Sequence, residues 1–177
     1  MSAGREPAGP RLSIPPREIA IANRHPRLRL ERRAVVAALR ALDAHHAALA
    51  TRHSTLARGG ELSVVFLSDS ALAQLHAAFL DDPSTTDVIT FSGDPALGSA
   101  GEICVSVDTA ARYAREHGRE FSEELTLYLA HGWLHLAGHD DLVAQKKRAM
   151  RRAEARAMRA LRAAHCVPRF LLAKERS

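Results

Sequence analysis

Cysteine is scarce: the 177 residues hold two, Cys104 and Cys166. They stand far apart and match no paired metal motif, so a disulfide-stapled scaffold and a cysteine zinc site are both excluded. They read as two reduced thiols of a cytoplasmic protein. Long apolar runs are also missing. None approaches the roughly 20 residues a membrane helix needs, so no membrane partner is expected. The first sixteen residues are rich in Pro, Gly and Arg and carry no apolar core of the signal-peptide kind; residues 1–16 read as a disordered leader. No internal repeat is visible. What remains is a chain of ordinary apolar and charged content, long enough for one domain with a buried core, placed at 17–165, with 166–177 as a C-terminal tail.

Charge is unevenly spread. Residues 1–60 hold 11 Lys/Arg against 4 Asp/Glu, residues 61–144 hold 3 against 14, and residues 145–177 hold 11 against 2. An acidic middle between basic flanks suits a polyanionic partner such as RNA, although a charge run is as often a solvated face.

Apolar periodicity and turn residues divide the chain into alternating elements. Residues 18–23 read as a strand ending near His25-Pro26. An amphipathic helix comes next, from about Glu31 to Ala50, and Gly59-Gly60 marks a turn. Strands are expected at 62–67, 87–91 and 102–107. Ser68-Asp69-Ser70 caps a helix to Leu80, Asp81–Ser84 is a loop, and Asp108-Thr109 opens a helix to His117. A helix from Ser122 is apolar nearly all round between Leu125 and Ala137, hence buried. A basic helix runs from Leu142 to about Ala164. Strands and helices, about four of the former, mix in a single α+β sheet-and-helix domain with the helix from Ser122 at its centre.

That central helix carries the most informative stretch, His131-Gly132-Trp133-Leu134-His135-Leu136-Ala137-Gly138-His139-Asp140-Asp141. Histidines four apart share one helix face and can grip one ion. Gly138 accepts left-handed angles and ends the helix, so the chain can turn Asp141, or His139, over the same ion. Three ligands with a fourth position open for water is the layout of a catalytic zinc site. The spacing is that of metzincin peptidases, but their general-base Glu beside the first His is here Gly132. This favours a hydrolase of another substrate class and keeps a peptidase as the weaker alternative.

Three stretches together resemble the YbeY family. Thr85-Thr86-Asp87-Val88-Ile89-Thr90-Phe91 resembles its P-T-D-V-L-S-F element. Residues 101–110, from Gly101-Glu102-Ile103 to Asp108-Thr109-Ala110, resemble its G-[DE]-I-x-I-S-x-[DE]-x-A strand. His131 to Asp141 resembles its H-G-x-L-H-L-x-G-[YH]-D-H signature. The resemblance covers about residues 17–160. It implies a zincin-like α+β fold, a small mixed sheet packed with helices around a central metal-bearing helix, and a bacterial cytoplasmic endoribonuclease that uses one zinc ion to cut single-stranded RNA. Such a protein would act at the small ribosomal subunit, in 3′-end maturation of its rRNA and in ribosome quality control.

Three departures bear on that implication. The family's third histidine ligand is here Asp141, whose carboxylate also suits zinc but makes bound water less acidic. The family's Arg ahead of the T-D-V element falls at Leu80, after Phe79, which leaves Arg112 or Arg115 as substitutes for phosphate stabilisation. The family's Asn before that aromatic falls at His76. The site is therefore expected to comprise His131, His135 and Asp141 as metal ligands, with Asp87 and Asp140 as candidate bases. Asp87 reads more readily as a turn or capping residue than as a base, and Asp140 reads alternatively as a residue orienting a ligand histidine. Glu102 reads as a strand-end or Arg-paired group and Trp133 as core. Lys146, Lys147, Arg148, Arg151 and Arg152 offer a phosphate-binding or solvated face. A non-catalytic ribosome-assembly factor with a structural metal stays open as an alternative.

Overall fold

The computed structural model describes residues 17–80 and 86–174. The expected leader at 1–16 and the expected loop Asp81–Ser84 lie outside the described residues. Among those described, four strands form one mixed sheet: β1 (Glu18–Asn23), β3 (Glu61–Leu67), β5 (Ser99–Ser106) and β4 (Val88–Ser92), in the spatial order β1-β3-β5-β4. β1, β3 and β5 run parallel, and β4 returns antiparallel to β5. The parallel pairs are joined through helices, as parallel connections require: α1 (Arg32–Ala44) and α2 (His46–Leu49) lie between β1 and β3, and α3 (Asp69–Leu80) lies between β3 and β4. α4 (Val107–Glu116), α5 (Phe121–Leu136) and α6 (Ala144–Ala163) come after the sheet.

Period-two alternation sorts the strand residues onto two faces. Val64 and Phe66, Val88, Ile103 and Val105 join the main core, whereas Leu67, Ile89 and Cys104 join a smaller cluster with Leu72 of α3. α5 lies against the first face, buried along most of its length, with Leu125, Leu129, Trp133, Leu134 and Leu136 all at 2% exposure or less. Gly132 makes that approach possible. A Cβ there would sit 2.5 Å from the Ile103 Cγ2 and 2.9 Å from the Val88 Cγ2.

Two expectations shift at the edges. The helix expected to run from Glu31 to Ala50 breaks at His45 into α1 and α2. The stretch expected as a tail, 166–177, contains a strand, β6 (Phe170–Leu172), antiparallel to the unforeseen β2 (Leu28–Leu30). Ser122 at the start of α5 fixes β6 by receiving the Phe170 N–H at 2.9 Å. Both strands have three residues, too few to show alternation.

Candidate metal centre

α5 ends where the sequence places its glycine. Gly138 has φ +92°, and a Cβ on it would meet the Thr51 Oγ1 at 2.3 Å and the Ser54 N at 2.6 Å. The last carbonyls of a helix lack intrahelical donors. Here the 51–56 loop supplies them: Thr51 N donates to Ala137 O at 2.9 Å, and Thr55 N and Leu56 N donate to Leu136 O at 2.9 and 3.1 Å. The Thr51 hydroxyl donates to Gly138 O. The end of α5 and Gly138, which lead the chain toward Asp141, are thus tied to the 51–56 loop.

His131, His135 and Asp141 each offer one ligand atom, and the three atoms lie within 4.8 Å of one another. The two Nε2 atoms are 2.9 Å apart. Asp141 oxygens lie 3.8 Å from the His131 Nε2 and 3.9 Å from the His135 Nε2. On the far side of each ring, Nδ1 has its own acceptor: Glu154 Oε1 of α6 at 2.7 Å for His131, and the His139 backbone carbonyl at 3.1 Å for His135. With both Nδ1 positions donating, the two Nε2 atoms face each other and a carboxylate. That is a nitrogen, nitrogen, oxygen donor set that fits a divalent cation.

The surrounding charges treat the two rings differently. Burial lowers the His131 pKa, but the Glu154 hydrogen bond and the carboxylates of Asp87, Glu154 and Asp141 outweigh it and hold the imidazole above its usual range. Burial and the adjacent His131 push His135 below that range, so it stays neutral as a ligand should.

The other expected site residues fall in distinct places. The His139 ring does not join the cluster; its Nε2 lies 2.6 Å from the Leu49 carbonyl, while its backbone orients His135. Asp87 precedes β4. One of its carboxylate oxygens receives the Val88 N–H at 2.9 Å, which is the capping role, yet its charge acts on both His131 and His135. Asp140 bonds outward, to Lys146 Nζ at 2.5 Å and to the Leu142 N–H at 2.8 Å. Arg112 is committed to Asp69 at 2.8 Å. Glu102 lies within β5 beside Cys104, whose thiol is pushed up to about 12, first by burial and then by that carboxylate. Trp133 is fully buried core. The one site residue missed is Glu154. It is the sole acidic residue in the basic helix Ala144–Ala163, but no local spacing ties it to His131.

A model of the YbeY family, described as Endoribonuclease YbeY, matches residues 22–162. The chain belongs to the YbeY family. Named relatives include the Endoribonuclease YbeY of Anaeromyxobacter dehalogenans, 41% identical over 103 residues, covering 56% of this chain and 53% of that protein. That of Myxococcus xanthus is 40% identical over 88 residues, covering 46% of this chain and 30% of that protein. That of Chlamydia pneumoniae is 37% identical over 115 residues, covering 60% and 73%. The match thus spans about a third to a half of the first two relatives. The solution structure of TM1509 from Thermotoga maritima shares the fold, with a TM-score of 0.56 at 21% identity over 83% of this chain and 91% of that one.

Proposed function

We propose that this YbeY-family chain is a metal-dependent endoribonuclease that cuts single-stranded RNA, with ribosomal RNA of the small subunit as its substrate and the cytoplasm as its place of action. The observation that carries this reading is the His131, His135, Asp141 cluster, with both Nδ1 atoms committed elsewhere, in a chain whose relatives are named endoribonucleases. The imidazole and carboxylate donors suit zinc. When bound, zinc supplies Lewis-acid polarisation of a phosphoryl oxygen and a water acidified toward neutrality.

The chain's own residues supply the rest. His131, His135 and Asp141 hold the ion; Glu154 and the His139 carbonyl fix the two rings. Asp87 is the better placed of the two candidate bases, because one carboxylate oxygen anchors on the Val88 N–H while its charge reaches both histidines. Proton acceptance falls to its other oxygen. Asp140, tied to Lys146, supports the turn that presents Asp141. The Asp141 carboxylate in place of a third imidazole adds negative charge and leaves the bound water less acidic. A peptidase is disfavoured, because the position of the peptidase Glu is a glycine with no room for a Cβ. No helix among the described residues is long and apolar enough to cross a membrane.

The test is cleavage of a single-stranded RNA by metal-stripped protein with zinc restored, beside the His135→Ala variant. Zinc-dependent cutting lost in the variant is the expected result. Absence of cutting by the zinc-loaded wild type would turn the reading toward the assembly factor, which Leu80 in the family's Arg position and the commitment of Arg112 to Asp69 both favour.

A further inference from the structure

A second polar site lies on another part of the molecule. Arg17, just ahead of β1, is 6% exposed, and its Nε is paired with Asp43 Oδ2 of α1 at 3.0 Å. Its Nη1 is buried and has no hydrogen-bond partner. A buried cationic donor left unmet is costly, and in native structures it usually signals a missing ion, water or ligand. Arg17 lines an open cavity of about 510 Å³ together with Arg40, Asp43, His46 and Arg58. Three guanidinium groups against one carboxylate leave an excess of two positive charges around it. Burial and the nearby Arg17 hold the His46 pKa down, so its ring adds a neutral hydrogen-bonding group.

We propose that this cavity is an anion site that takes a phosphate group, with the guanidinium groups of Arg17, of Arg40 on α1 and of Arg58 in the loop before β3 as its donors. Guanidinium groups match phosphate oxygens in pairs, and charge assistance strengthens each bond. Whether the phosphate is free or carried on an RNA strand, the chemistry recognised is the same. The site does not depend on the nuclease reading, since none of its residues belongs to the metal cluster.

The protein has a built-in reporter. Its single tryptophan, Trp133, donates Nε1–H to Asp43 Oδ1 at 3.0 Å and meets the His46 ring edge-on at 5.9 Å. An anion pairing with Arg17 alters the field that Asp43 and His46 exert on the indole. The experiment tracks Trp133 fluorescence in the full chain during titration with inorganic phosphate, with chloride holding ionic strength constant. A second arm titrates a short single-stranded RNA into the His135→Ala chain, so that cleavage does not intervene. A saturable change is expected with phosphate, weakened at least ten-fold in the Arg40→Ala/Arg58→Ala double variant. Those two residues are not in the core, so that variant keeps its fold; phosphate should also raise the thermal midpoint of the wild type and not of the double variant. RNA saturating at ten-fold lower concentration than phosphate assigns the site to a strand; equal concentrations assign it to a small phosphate. The proposal is overturned if neither anion gives a saturable change beyond chloride, or if the double variant responds as the wild type does.

Discussion

Each imidazole of the pair has its Nδ1 fixed by the protein and its Nε2 turned toward the other ring and Asp141, and of the two fixing partners that of His131 is the carboxylate. Glu154 both orients that ring and raises the basicity of its Nε2. Glu154→Gln keeps the shape but removes the charge, and it should weaken zinc binding by roughly 10- to 100-fold, the usual range for such partners; competition with a chromophoric chelator measures it. That His131 and His135 share one face was legible from their four-residue spacing, and that Asp141 comes near them from the glycine-ended turn. Glu154 was not, because helical spacing says nothing about which residue of a different helix arrives behind a ring. His139 was legible as a candidate ligand, but its ring turns to the Leu49 carbonyl, a contact with a distant segment that no local pattern encodes.

Among the helices and strands, the site rests on how closely α5 lies to the sheet, and a separate joint ties α3 to α4. Gly132 sets the first. Gly132→Ala would force the Ile103 and Val88 methyls aside, and overpacking of this kind costs about 1–3 kcal/mol; a lowered urea midpoint with an unchanged slope is the expected outcome. Asp69 sets the second, accepting from Ser106 Oγ, Thr109 Oγ1 at 2.7 Å and Arg112 Nη1. Burial alone would raise its pKa, but those three donors bring it below the usual carboxylate value of 3.8. Its contribution is therefore present above pH 3.8 and is lost as pH falls through the depressed value. Asp69→Asn should lower the thermal midpoint at neutral pH, with the gap to wild type closing in acid. The major strands and helices were legible from periodicity and caps. β2 and β6 were not, since each is stable only through the other and through Ser122, all far apart in sequence.

Across the whole molecule, the basic flanks of the sequence are brought together around its acidic middle. β2 pairs with β6, and α1 packs against α6, so the first and last thirds of the chain meet beside the central helix. Lys147, Arg148, Arg151 and Arg152 remain exposed on α6, leaving a cationic face on the same helix that supplies Glu154. Composition foretold the charge blocks but not their meeting, which depends on strand pairing. Everything proposed for the metal centre requires that His131, His135 and Asp141 together hold one ion. The most direct measurement is zinc bound per chain, after stripping, reloading and dialysis, in the wild type, Asp141→Ala and His139→Ala. About one zinc is expected in the wild type and in His139→Ala, whose orienting backbone carbonyl survives the substitution, and a large loss in Asp141→Ala. Full zinc in Asp141→Ala with loss in His139→Ala would contradict this ligand set.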